Sequence, residues 1–233
     1  MASSNSTRIT LYTHATPNGH PISIFLEELK VSYEAIALSL STAETGKVHN
    51  HVKAPWFLSI NPNGRIPAIV DNEKNFNVFE TSAILLYLQA ELDQSNKFGF
   101  DSKTHPKEYS EVLQWLFFAH GGIGPMLGQA SHFLRFAPEK IPYAINRYTD
   151  EGRRLLSVVD ARLSKHDYLA GDKYTIADIK SHAWLRLVYR FDIDLAKDYP
   201  NVKAWVDRID ARPAVQKGLQ VPEAYPAYEA RGG

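Results

Sequence analysis

Residues 65–71 read Arg65-Ile66-Pro67-Ala68-Ile69-Val70-Asp71; after a turn at 72–75, residues 76–84 read Phe76-Asn77-Val78-Phe79-Glu80-Thr81-Ser82-Ala83-Ile84. The first run is a strand with Pro67 near its start, where the missing ladder donor is tolerated. The second is a short strand, and Glu80-Thr81-Ser82 then leads into a strongly apolar helix over 83–92. Upstream, Ile9, Leu11 and Tyr12 mark a β-prone run that ends at the turn Thr16-Pro17-Asn18-Gly19. From Pro21 the apolar spacing becomes helical, with Ile22, Phe25, Leu26 and Leu29 on one face and Glu27 and Glu28 outside. Residues 33–40 alternate as a strand, and the polar segment 41–52 reads as a short helix or an irregular loop. The order β-α-β-α-β-β-α closes the first third as a mixed α/β unit.

Beyond it, residues 93–106 turn polar and mark the best domain boundary. Every later long segment has helical period: 108–137, 143–164, 176–189 and 202–209. The first is interrupted at Gly121-Gly122-Ile123-Gly124-Pro125, which reads as a helix kink, since no strand precedes it and the spacing is wrong for a dinucleotide loop. Thr175-Ile176-Ala177-Asp178 reads as a helix start, with Thr175 capping and Asp178 reaching back to the Thr175 amide.

The chain has 233 residues, 26 basic and 26 acidic side chains and no cysteine. A hydrophobic content of 44% excludes a disordered chain. Zero formal charge argues against nucleic acid, and no apolar run reaches the roughly 20 residues of a membrane helix. Met1 to Thr7 lacks the features of a secretory signal, so the expectation is an intracellular, cytoplasmic protein. Without cysteine there is no protein thiol nucleophile, CxxC pair or thiolate zinc site. No histidine pair has HExxH spacing and no Gly-x-Ser-x-Gly elbow exists, so no metal and no serine hydrolase are expected. Any sulfur chemistry must therefore use a sulfur brought by a ligand.

Three features of the first third join into one site. Asn18 stands between a strand and a helix, where free helix amides favour an anion and a neutral amide can donate to a thiolate. Ile66-Pro67 is a candidate cis peptide, which would leave the Ile66 main chain open to an extended peptide. Thr81 opens a helix, so its hydroxyl and N–H suit a carboxylate, with Glu80 beside it for an ammonium group. Singly, each is also an ordinary turn, edge proline or cap. Together they describe a site for an extended, zwitterionic, thiol-bearing peptide.

On these residues the chain resembles the glutathione transferases. The resemblance rests on Arg65-Ile66-Pro67-Ala68, Phe79-Glu80-Thr81-Ser82-Ala83-Ile84 and Thr175-Ile176-Ala177-Asp178, and spans about residues 8–215. It is closer to the branch of fungal proteins similar to the yeast nitrogen-catabolite prion regulator and the bacterial nu class. Thr16-Pro17-Asn18-Gly19, Asn61-Pro62-Asn63-Gly64, Gln114-Trp115-Leu116-Phe117-Phe118, Gly124-Pro125-Met126-Leu127-Gly128-Gln129 and Arg147-Tyr148 carry that part.

The resemblance implies a thioredoxin-like domain over 1–93, a linker over 94–104 and an all-helical domain over 105–233, assembled as a homodimer. It implies Asn18 and Thr16 as catalytic groups facing the glutathione sulfur. Ile66, Glu80, Thr81 and Lys53 would hold the rest of the peptide, and Arg147 would reach a second glutathione. Trp115, Phe117, Phe118, Met126 and Phe133 would line the acceptor site. The chain departs from relatives at Val52, where a polar residue often touches the glycyl end; His51 or Lys53 would have to compensate. The expected activity is glutathione-dependent disulfide reduction or conjugation of a small disulfide or electrophile, without a metal. The competing expectation is a ligand-binding regulatory protein with little catalysis.

Overall fold

The computed structural model describes residues 7–40 and 51–222. Four strands form one mixed sheet in the order β2-β1-β3-β4: β1 (Ile9–Thr13), β2 (Tyr33–Ala37), β3 (Ala68–Asp71) and β4 (Phe76–Phe79). β2 runs parallel to β1, paired from Ile9↔Tyr33 to Thr13↔Ala37, across the helical connection α1 (His20–Leu29). β3 runs antiparallel to both β1 and β4, with Leu11↔Ile69 and Ile69↔Val78. The two inner strands, β1 and β3, carry the buried residues Ile9, Leu11 and Ile69, all at 0% exposure. β4 lies at the sheet edge with Phe76 and Phe79 exposed.

Pro21 sits in the first turn of α1, where its missing N–H costs nothing. The helix ends at Lys30 in a left-handed conformation, whose N–H closes back onto Glu27 and Leu26. α1 packs against α3 (Thr81–Leu92), and Ile22, Phe25 and Leu26 of the one and Ile84, Leu85 and Leu88 of the other are all buried. Each such side chain contributes about 1.5–3 kcal/mol on leaving water. Two short elements, a 3-10 turn at His51–Lys53 and α2 (Pro55–Leu58), precede β3.

The second unit is helical: α4 (Pro106–Phe118), α5 (Gly124–Ser131), α6 (Pro142–Leu163), α7 (Ile176–Leu185), α8 (Leu195–Asp198) and α9 (Pro200–Asp210). Along α6 the buried positions Gly152, Leu155, Leu156, Val159 and Leu163 keep one helical stripe. Gly152 admits Leu127 of α5 so closely that a Cβ there would fall 2.8 Å from the leucine.

Several expectations change in detail. The second strand stops at Ala37, and the third starts at Ala68, after a cis Ile66-Pro67 peptide. The helix expected from residue 83 already starts at Thr81. Gly121 and Gly122 produce no break: they lie in a π-helical turn, Ala119–Ile123, between α4 and α5. A second such turn, His132–Phe136, follows α5. Of the segment 41–52, residues 41–50 lie outside the described residues. The chain divides at Leu92/Asp93, and α10 (Pro213–Gly218), in the part expected with the helical domain, joins the first unit.

Candidate functional site

In the first unit the turn before α1 folds back on the end of β1. The Thr16 N–H donates to the His14 carbonyl at 2.7 Å, and Thr16 Oγ1 accepts the Gly19 N–H at 3.1 Å. Only glycine fits at position 19, since a Cβ would stand 2.3 Å from the His14 carbonyl oxygen. Asn18, half-buried, is thereby fixed one residue before the closing glycine.

The start of α3 meets this turn directly. The Thr81 hydroxyl donates to the Asn18 main-chain carbonyl at 3.1 Å. Thr81 is 4% exposed. This changes the expectation for Thr81: its hydroxyl proton already has an internal acceptor, so the donors left for a carboxylate are main-chain N–H groups of the first turn. Glu80 precedes it in the left-handed region, φ 71°, a costly conformation for a residue with a Cβ. Its exposed carboxylate accepts a hydrogen bond from Asn63 Nδ2 at 3.4 Å.

Asn63 is the residue that sequence reasoning missed. Its carbonyl accepts from Lys53 Nζ at 3.2 Å, so Lys53, Asn63 and Glu80 form one chain of contacts. Asn61, 1% exposed, shapes the turn: its side chain accepts the Asn63 N–H at 3.0 Å and donates to the Arg65 carbonyl at 2.6 Å. Gly64, φ 60°, brings the turn so close to Val52 that a Cβ would lie 2.7 Å from the Val52 carbonyl. The available signal was the turn chemistry of Asn-Pro-Asn-Gly, which identifies a turn without a role for it. Ile66 stands just outside the β3 ladder, which begins at Ala68, and packs, as Tyr12 and Trp56 also do, against the core of Ile36, Leu38, Val52, Phe57 and Ala68.

Val52 is 4% exposed and belongs to that core with Ile36, Leu38 and Phe57, so it is a packing residue rather than a missing ligand contact. Neighbouring His51 accepts the Ser39 N–H on Nδ1 at 3.1 Å, and Lys53, on the other side of Val52, is exposed.

Arg147 and the proposed acceptor residues all lie in the second unit. A cleft of about 790 Å³ is lined by Met126 of α5 and by Tyr143, Asn146, Arg147, Tyr148 and Asp150 of α6. Phe133 stacks flat on Tyr148, ring centres 5.6 Å apart and planes 9° apart. Arg154 at the end of the cleft is held by Glu151 in a two-pronged pair, 2.8 and 2.7 Å. Trp115 and Phe118, three residues apart on α4, instead line a separate hollow with Glu111, Gln114 and Arg162. Phe117 is turned off that face and is 55% exposed. Of the five expected acceptor residues, Met126 lines the cleft with Arg147, Trp115 and Phe118 line the hollow on α4, and Phe133 stacks on Tyr148.

Among the described residues, no group of three or more His, Cys, Asp or Glu could hold a metal ion. No described helix is long and apolar enough to cross a membrane.

The chain matches the family described as "Glutathione S-transferase, N-terminal domain" over residues 7–90 and "Glutathione S-transferase, C-terminal domain" over 132–213. Disulfide-bond oxidoreductase YfcG of Escherichia coli (strain K12) is 43% identical over 216 residues, covering 91% of this chain and 94% of that protein. Protein URE2 of Meyerozyma guilliermondii is 32% identical over 245 residues, covering 91% of this chain and 79% of that one. The crystal structure of a glutathione transferase homologue from Lodderomyces elongisporus, with two glutathione molecules per subunit, superposes with a TM-score of 0.85. It is 40% identical, over 92% of this chain and 98% of that chain.

Proposed function

Because the chain belongs to the glutathione S-transferase family, in the branch that holds YfcG and the URE2 proteins, we propose that it is a glutathione-dependent transferase and disulfide reductase. The observation that carries this reading is the 3.1 Å hydrogen bond from Thr81 to the Asn18 carbonyl. It ties the turn leading into α1 to the first turn of α3. The N–H groups at the start of α1 are already taken, His20 by the Thr16 carbonyl and Ile22 by the Gly19 carbonyl, so main-chain donors for a ligand come from the first turn of α3.

Glutathione lies across this region as an extended peptide. Its γ-glutamyl carboxylate takes the main-chain N–H groups at Thr81, and its ammonium takes Glu80. The Ile66 main chain pairs with the cysteinyl unit, and Lys53 neutralises the glycyl carboxylate. The Asn18 side-chain amide, with Thr16 beside it, donates to the sulfur. A free thiol has a pKa of about 8.5, so donors and helix ends that favour the anion raise the reactive fraction at neutral pH. The amide cannot remove a proton; its contribution is electrostatic and positional.

In disulfide reduction the bound thiolate attacks one substrate sulfur. The S–S bond breaks, a mixed disulfide with glutathione forms, and the other half leaves as a thiolate that takes a proton from water. A second glutathione thiolate, held by Arg147, attacks the glutathione sulfur of that mixed disulfide. The products are glutathione disulfide and the second substrate thiol, so two thiols supply the two electrons. Attack on an electrophilic carbon forms a C–S bond instead: in a substitution the leaving group departs with the bonding pair, and in an addition the neighbouring atom takes a proton from water. The protein works as a cytoplasmic homodimer, the symmetric two-fold form its family implies.

The test is turnover of a glutathione mixed disulfide, with glutathione and a recycling reductase present. Wild type is expected to turn over, and Asn18→Ala to lose about a hundredfold in kcat, the size of effect seen when one preorganised donor is removed. Glutathione binding in a calorimeter without any wild-type turnover overturns the reductase reading. That result supports the second reading, a glutathione-binding regulatory protein, which the likeness to URE2 favours.

A further inference from the structure

Two histidines of the first unit have no part in the chemistry above, yet both bond to the same peptide group. The Leu38 N–H donates to the Thr13 carbonyl at 2.8 Å. The His14 ring also bonds to the Leu38 main chain, so its partner there is the Leu38 carbonyl oxygen. The Ser39 N–H, at the other end of the same peptide bond, donates to His51 Nδ1 at 3.1 Å. One planar peptide is thus held at its oxygen by one imidazole and at its hydrogen by another. Polarisation makes such a series cooperative, each bond strengthening the next. Burial holds the His14 pKa below its ordinary value, against the hydrogen bond to Leu38 that pushes it up, so the ring is neutral at pH 7.

Each histidine leads to a different end of the site. The His14 carbonyl receives the Thr16 N–H at 2.7 Å and is the atom against which Gly19 closes, so the Asn18 turn is seated on the His14 main chain. His51 opens the 3-10 turn His51–Lys53, and Lys53 reaches Asn63 O at 3.2 Å.

We propose that His14 and His51, joined through the Leu38–Ser39 peptide, are positioning residues that couple the thiol end of the glutathione site at Asn18 to its glycyl end at Lys53. This rests on the assignment of Asn18 and Lys53 to bound glutathione. Neither imidazole touches the peptide substrate; both act through the main chain they hold.

The experiment is a double-mutant cycle with two thiol substrates, glutathione and γ-glutamylcysteine, which lacks the glycyl residue. His14→Leu and His51→Leu are each expected to lose about tenfold in kcat/KM with glutathione, the effect of one lost hydrogen bond. The double variant is expected to lose no more than either single one, because breaking one end already releases the shared peptide. His14→Leu, altered at the thiol end, is also expected to lose the preference for glutathione over γ-glutamylcysteine. His14→Gln and His51→Gln keep a donor and an acceptor respectively, and are expected to restore both rate and preference. They also serve should the leucine variants fail to fold. Losses that multiply to about a hundredfold in the double variant, or histidine variants that discriminate as wild type does, overturn the coupling alone. A wild type that turns over neither thiol overturns the glutathione site and this coupling with it.

Discussion

Thr81 shows how one hydroxyl changes the reading of a site. In sequence it is a helix opener, and its natural assignment is to a ligand carboxylate. In the fold its proton goes to the Asn18 carbonyl, a residue 63 positions away. Thr81→Val keeps the shape and removes the donor. It is expected to lower stability by about 1 kcal/mol in urea unfolding and glutathione turnover by about tenfold, while Thr81→Ser keeps both near wild type. A valine variant with unchanged turnover would separate Asn18 positioning from this bond. Val52 teaches the converse. Its place in the chain pointed to a missing polar contact, but it is a core residue, and adjacent Lys53 is the one that faces out. A single side chain's direction depends on what packs around it, and one residue of sequence separates the two outcomes.

At the scale of elements, the start of α7 was legible because its chemistry is local. Thr175 and Asp178 form the capping box that their spacing describes, with Asp178 accepting the Thr175 N–H at 2.9 Å. What spacing could not reveal is that Asp178 also accepts the Leu169 N–H at 3.0 Å and Trp205 Nε1 at 2.9 Å. It is therefore a buried junction of α7, α9 and the preceding loop. Asp178→Ala leaves three N–H donors without their acceptor and is expected to cost about 3 kcal/mol. That corresponds to a fall of about 6–12 °C in Tm for a chain of this size, read by calorimetry. At Gly121-Gly122 the chain stays helical but widens into a π turn, so the interruption expected from the two glycines is a local change of helix type rather than a break. The link between His14 and His51 left no trace in the pattern, since two histidines 37 positions apart come to share one peptide only once β1 and β2 lie side by side.

For the whole molecule, the division into an α/β unit and a helical unit followed from the change of hydrophobic period near residue 93. The fate of the end of the chain did not. α10 returns to the first unit: the Ser23 hydroxyl donates to the Gly218 carbonyl at 2.7 Å, Lys217 pairs with Glu27 at 2.7 Å, and Gly218 lies against Ile24. Deleting residues from Pro213 onward is expected to lower hydrogen-exchange protection across α1 while leaving α6 and α7 protected, and equal protection in α1 would disprove that role. The sequence by itself determined the β-α-β-α-β-β-α order of the first unit, the change to helical period beyond it and the cap of α7. These rest on periodicity, turn chemistry and capping, which act over a few residues. Only the tertiary structure decided which donors remain open at the site, where Val52 and the aromatic residues of α4 point, and what the last helix covers. Those outcomes depend on contacts between residues far apart in the chain, where packing and hydrogen-bond satisfaction in three dimensions outweigh any local preference.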